Sequence, residues 1–334
     1  MAGITMLDVA KKAGVSKSTV SQYLNKRYNY MSEDTKERIS SAIEELGYSP
    51  NGVARSLRQK KTQTIGVIVA NILHAFSTEV IRAIEDTCHN HDVHVIVCNA
   101  DDDPKKEKRY VEMLRAKQVD GMIVLPTSAN AELFNELLDQ AYPLVFLDRI
   151  LADVPVNTVL SDNEKTVRLA VEALVEKGYK RIGMILPPIS EDITPRLERK
   201  ETFEKVITEL SLEESGSRVE AVPLSGVEQA LTGMLNLEQP IDAVIAGNDL
   251  VLHEVLRFVN KKAINIPKSL ALIGIDEVDF AEFLKPPLTT VAQPTFAMGH
   301  KAAELLLSEI NKGGLQQKVA VYRFEPSMNR RGSF

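Results

Sequence analysis

Two rhythms of apolar and polar positions divide this chain. Residues 6–46 carry apolar side chains at helical spacing, with no convincing strand among them. In Met6–Asn25, MLDVAKKAGVSKSTVSQYLN, a first helix turns Leu7, Val9 and Ala10 inward and ends near Gly14, which can take the left-handed conformation of a tight turn. Ser16 is placed to cap a second helix from Lys17 to Leu24. Val20 and Leu24 then face the core, leaving Lys17, Ser18, Ser21 and Gln22 mostly outward. A third helix starts at Ser32, packs Ile39, Ala42, Ile43 and Leu46, and stops at Gly47.

From residue 64 the pattern changes to short β-branched runs separated by helix-length segments. The runs are TIGVIVANI (64–72), VHVIVCNA (93–100), VDGMIVLP (119–126), PLVFLDR (143–149), RIGMILPP (181–188), IDAVIAGND (241–249) and LALIGIDEVD (270–279). Such runs predict buried parallel strands in βαβ units, with helices on both faces of the sheets. A weak internal repeat points to two similar lobes. Ile65-Gly66 returns as Ile182-Gly183 and Asp120 as Asp242, in the same order and at nearly the same offset. Facing lobes make a cleft at the carboxyl ends of their strands, where such sheets bind ligands.

The 334 residues are 44% hydrophobic and 26% charged, enough for about two folded units and too apolar for general disorder. The net charge of −6 conceals an asymmetry: residues 1–62 sum to +5 and residues 63–334 to −11. A basic head on an acidic body predicts that the head meets a polyanion. Cys88 and Cys98 are too few for a disulfide framework or a thiolate zinc site, and His89, His91 and His94 lack any cysteine cage, so no metal is expected. Asp101, Asp102 and Asp103 before Pro104 read as a solvated helix-capping cluster. The opening MAGITMLDVAKK lacks a signal-peptide core and no run nears the ~20 residues of a membrane span, so a cytoplasmic protein is expected. No P-loop, nucleophile elbow, CxxC or dinucleotide fingerprint appears, and no cofactor is expected.

The first two helices form a helix-turn-helix whose second helix presents Lys17, Ser18, Thr19 and Gln22, residue types that read base edges. PNGVARSLRQKK (50–61) has room for one short helix, too short to hold alone, with Leu57 either an apolar wedge for the minor groove or a residue packed on the body. The stretches LDVAKKAGVSKSTVSQYLN, AIEELGYSPNGVARSLR, TIGVIVANI, VDGMIVLPTS, FLDR, AGND, IGIDE and PPLTTVAQP together resemble the LacI/GalR family of bacterial transcription regulators over essentially the whole chain. Within it, the wording of the head is similar to the branch controlling hexuronate and keto-deoxy-gluconate use.

The resemblance implies a small all-α head (1–49), a hinge helix and linker (50–62), and a body of two parallel-sheet lobes of periplasmic-binding-protein type I (63–334). The lobes are expected at 63–161 plus 292–320 and at 162–291 plus 321–334. It further implies a homodimer on double-stranded palindromic operator DNA. Lys17, Ser18 and Gln22 are then the specificity positions, and Asn51, Val53, Ala54, Leu57 and Arg58 the hinge contacts. Gln22 stands where arginine is usual and reads adenine better than guanine. The loop KRYNYM (26–31) lacks the usual glycine.

For the body, the resemblance places an effector among Phe76, Ser77, Asp148, Arg149, Arg196, Arg199, Phe203, Asn248, Asp249 and Asp276. Carboxylates accept from hydroxyls, arginines donate in forks and an aromatic covers a ring face, as a sugar or sugar-acid site requires. The arginines favour an acid. The expected function is a repressor of carbohydrate-use genes released from its operator by that effector. A purine-type regulator that needs a corepressor stays open, as does, from another class, a cytosolic α/β enzyme.

Overall fold

Helix α1 (Met6–Ala13) begins where the Asp8 carboxylate accepts from both the backbone N–H and the hydroxyl of Thr5, and it ends at Gly14 with φ 64°. Helix α2 (Lys17–Leu24) is capped by Ser16, whose hydroxyl oxygen accepts from the Thr19 amide at 3.1 Å. Helix α3 (Glu33–Leu46) is capped by Ser32 and closed by left-handed Gly47. Val9, Ala10, Ala13, Val20, Ile39, Ala42 and Tyr48 form the head's core. Leu7 departs from expectation: it is 48% exposed. Met6, Val9, Ala10 and Ala13 make the inward stripe at i, i+3, i+4 and i+7, and Leu7 lies off it. Lys26 takes the left-handed conformation, φ 54°, in the loop that lacks a glycine.

The computed structural model describes residues 4–29, 31–48, 61–127, 129–189, 193–212, 215–313 and 319–334. The hinge positions Asn51, Val53, Ala54, Leu57 and Arg58 lie outside these. The chain separates into two units, Met1–Thr62 and Gln63–Phe334, each considered by itself.

The body holds two six-stranded sheets. The first contains β1 (Thr64–Val69), β2 (His94–Asn99), β3 (Met122–Val124), β4 (Leu144–Leu147), β5 (Asn157–Ser161) and β11 (Val321–Phe324), in the order β11-β5-β4-β3-β1-β2. The second contains β6 (Ile182–Leu186), β7 (Arg218–Ala221), β8 (Ala243–Ala246), β9 (Ala271–Ile275), β10 (Thr289–Ala292) and β12 (Ser327–Asn329), in the matching order β12-β10-β9-β8-β6-β7. All pairings are parallel except β10 with β12. Residues 321–324 pair with β5, so they belong to the first lobe, and the last crossing falls after Phe324 rather than at 320. Helices α4 (Ala75–His89), α5 (Pro104–Ala116), α6 (Ala131–Asp139) and α11 (Thr295–Lys312) accompany the first sheet. Helices α7 (Asn163–Glu176), α8 (Thr194–Glu209), α9 (Val227–Leu235) and α10 (Asp249–Lys261) accompany the second. Helices α4 and α11 meet closely at Gly299, where a Cβ would come within 2.7 Å of the Val80 carbonyl oxygen.

The internal repeat has a physical meaning. Asp120 accepts from the Gln63 amide just before β1, and Asp242 accepts from the Lys180 and Arg181 amides just before β6. Each carboxylate therefore pins the entry of its lobe's first strand. A second equivalence lies at the other end of the sheets. Asp148 follows β4 and Asp276 follows β9, with φ of 67° and 78°. Each donates its amide to the neighbouring strand, Asp148 to Val159 and Asp276 to Val291. Those two hydrogen bonds help hold non-glycine residues in a conformation they rarely adopt, a form of strain that concentrates at functional sites.

Candidate functional site

The two left-handed aspartates stand at the carboxyl ends of their sheets and line a cleft between the lobes of about 550 Å³, its open mouth included. Phe76, Ser77, Arg149, Arg196, Arg199 and Asn248 line the same cleft. Thus eight of the ten expected effector positions come together. Burial pushes the carboxyls of both Asp148 and Asp276 above the ordinary range, against the pull of nearby guanidiniums.

The other two expected positions fall elsewhere. Phe203 is 1% exposed within the apolar core beside Val167, Val171 and Ile245. It lies one turn beyond Arg199 on α8, where that helix face meets the sheet rather than the strand ends. Asp249, at the start of α10, turns its carboxylate to the opposite lobe. It accepts from His74 Nδ1 at 2.5 Å and from the Ala75 amide at 2.7 Å, linking α10 to the entry of α4. Burial alone would lower the His74 pKa, but the contact with Asp249 outweighs it and raises the value. Burial likewise pushes Asp249 up, yet His74 and the amides of Ala75 and Leu250 bring it below the ordinary range.

Asp102 was expected to be solvated. Of the three neighbouring aspartates, only Asp103 caps α5, accepting from the Lys105 amide, while Asp101 pairs with Lys106. Asp101 and Asp102 both take positive φ, 53° and 54°, and the Asp102 amide is held by the Ala70 carbonyl. Its carboxylate thereby reaches Arg149 at 2.8 Å and Arg196 at 3.0 Å. Burial opposes its ionisation, but the two guanidiniums hold its pKa below the ordinary range. Arg199 is fixed differently, donating to Asn163 Oδ1 at 2.9 Å and to the Gly247 carbonyl at 2.8 Å. Asn71, His74 and Gln293 also line the cleft and were missed in the sequence. Gln293 donates to Asp276 at 2.5 Å. These residues sit in loops without a distinctive spacing, and only their position after β1 or β10 could have marked them. The arrangement offers carboxyls, amides and forked donors on several sides of one small space.

In the head, Lys17, Ser18 and Gln22 are exposed along one side of α2, and Thr19 is half-buried. The hydroxyls of Ser18 and Thr19 both contact the Ser16 hydroxyl, at 2.7 and 2.8 Å. Lys17 and Gln22 therefore remain the long side chains of that face. His91 Nδ1 meets the Thr87 carbonyl, and no group of residues suited to a metal ion occurs among the described residues.

A helix-turn-helix head joined to a two-lobed α/β body with a polar cleft defines a class: DNA-binding regulators carrying an effector-binding body. Residues 5–51 match the model of bacterial regulatory proteins of the lacI family, and residues 171–334 match a periplasmic binding protein-like domain. The chain is 46% identical over 332 residues to the probable HTH-type transcriptional regulator EndR of Paenibacillus polymyxa, covering 98% of each. It is 31% identical to the HTH-type transcriptional regulator KdgR of Bacillus subtilis, over 93% of each. The fold matches that of the lac repressor dimer bound to operator and the anti-inducer ONPF, with a TM-score of 0.85, 24% identity and 99% of each chain covered. A complex of the transcriptional regulator CelR with cellobiose gives 0.71 and 26%, covering 99% of this chain and 100% of that one. The chain belongs to the LacI family. It is a DNA-binding transcriptional repressor, not an enzyme.

Proposed function

We propose that this repressor controls carbohydrate-use genes from the cytoplasm, binding a palindromic operator as a homodimer and leaving it when a small sugar or sugar acid enters the interlobe cleft. The observation that carries this reading is the convergence of eight expected side chains, from both lobes, on one polar cleft. A ligand bound there touches both lobes, so it prefers one lobe arrangement and shifts the population toward it. A coupling of about 1–3 kcal/mol gives roughly 5–150-fold regulation. The existence of a cellobiose complex of the similar regulator CelR supports a saccharide as the effector class. Lys17, Ser18 and Gln22 are the base-reading side chains in this reading, with Thr19 in support, and Asn51, Val53, Ala54, Leu57 and Arg58 are the hinge contacts.

The pairing within the cleft bears on effector charge. Asp102 already supplies an anion to Arg149 and Arg196, so those arginines require no acid from the ligand. The test has two stages. Sequencing DNA captured by the purified protein defines the operator; release of that operator is then measured with neutral sugars, aldonic, uronic and keto-deoxy acids, and purines. Release by a sugar or sugar acid is the expected result. Operator binding that is strengthened by a purine and indifferent to every sugar would replace this reading with the corepressor one.

A further inference from the structure

We infer that the effector is an uncharged saccharide of two rings, whose second ring occupies a side chamber beyond the Asp102–Arg149–Arg196 bridge. This rests on the carbohydrate reading above and narrows it. The void at the centre of the cleft encloses only about 60 Å³. Next to it lies a second void of about 280 Å³, bounded by Asp102, Pro104, Thr127, Pro188 and Ile189. Arg149, Ile193 and Arg196 line both, so the two voids share a wall. The central void falls well short of the about 300–1,000 Å³ typical of small-molecule sites, and only the two together enter that range.

The unmet polar atoms fall in the same places. Arg149 Nε is buried at the shared wall without a hydrogen bond, whereas the Asp102 carboxylate beside it is met by Arg149 Nη1 at 2.8 Å. Gln293 Oε1 is buried without a partner at the central void. Buried polar groups are nearly always satisfied, so each of these calls for a partner. One is a donor and the other an acceptor. Hydroxyl groups answer both kinds, whereas a carboxylate answers only the donor and would face the Gln293 amide oxygen. Pro104, Pro188, Ile189 and Ile193 give the side chamber the apolar walls against which the faces of a sugar ring pack.

The test is calorimetric titration of the full-length protein with glucose, cellobiose, maltose, gluconate and glucuronate. At least one disaccharide should bind tenfold or more tighter than glucose and than either acid. Ile189→Trp, which narrows the side chamber, should weaken that disaccharide at least tenfold and leave glucose within twofold. Ile189→Phe repeats the test with a smaller intrusion should the tryptophan variant melt early. A monosaccharide that binds as tightly as every disaccharide, binding by acids alone, or an Ile189 effect equal for both sizes would each overturn the inference and leave the carbohydrate reading standing. Failure of all five to bind would overturn the inference; only failure of the wider sugar and acid panel to release operator would remove the reading beneath it.

Discussion

Asp102 shows how little of a side chain's task is visible in its letter. Three adjacent aspartates before a proline look alike in the sequence, and two consecutive left-handed residues send one into the cleft. His74 was equally hidden, because nothing in ILHAFS announces a partner 175 positions away. The pair it makes with Asp249 has a defined pH window. His74 is raised, so its contribution is complete below the ordinary histidine value of 6.5 and fades as pH climbs through its higher folded value. Asp249 is lowered, so its contribution is complete above the ordinary 3.8 and fades as pH falls through its lower one. The link is therefore strongest between those limits. His74→Gln should cost about 1–3 kcal/mol within that window, because a buried carboxylate loses a charged donor. The check is the difference in melting temperature between wild type and variant from pH 4 to 9: it should narrow as pH rises past the histidine range, and a constant difference would refute the pair's titration. At the strand ends, Asp148→Gly should keep the fold, since glycine takes φ 67° without strain, while effector affinity falls about tenfold or more. Unchanged affinity would remove Asp148 from the site.

At the scale of elements, the long apolar runs were legible and the short polar ones were not. All seven runs became strands: six are buried along nearly their whole length and so must be apolar throughout, while β2 is a half-exposed edge strand. Four of the five missed strands have other reasons for existing. β7 is an edge strand, partly exposed and only four residues long. β5, NTVLS, is fully buried but polar at both ends, with Asn157 donating to buried Glu309 at 2.8 Å. β11 and β12 exist because the chain crosses between lobes a third time, a tertiary fact with no local signature. Glu107 is another case in which an element is fixed by a charge. It lies on α5, fully buried, and accepts from the Thr127 amide and hydroxyl at 2.7 and 2.8 Å and from Asn130 at 2.6 Å. It thereby holds the loop after β3 at the wall of the side chamber. Glu107→Ala leaves several buried donors unmet and should cost about 3 kcal/mol or more, with Glu107→Gln intermediate. Urea unfolding of the three proteins decides it, and equal midpoints would show that the carboxylate does not anchor the loop.

Charge separates the tasks of the whole molecule. The first 62 residues carry +5 and the remaining 272 carry −11, so polyanion and effector meet opposite fields. Phosphate contacts release condensed counterions, and each lost contact removes about 0.9 from the slope of log affinity against log salt. An uncharged ligand in the cleft releases none. Operator affinity should therefore fall by orders of magnitude between about 50 and 200 mM salt, while effector affinity measured on the same preparation changes less than twofold. Substitutions within α2 should then divide by mechanism. Lys17 and Gln22 are both exposed there, but only Lys17 carries charge. Lys17→Ala is expected to lower the slope by about one for each subunit on the operator, because it removes a cation, and to relax preference at the base that the lysine reads. Gln22→Ala is expected to leave the slope alone and relax one position in each half-site, at about 1–3 kcal/mol of discrimination. Titrations at four salt concentrations, paired with selection from a randomised operator, read both quantities at once. A Gln22 variant that selects the same sequences as wild type would mean that the glutamine side chain does not read a base.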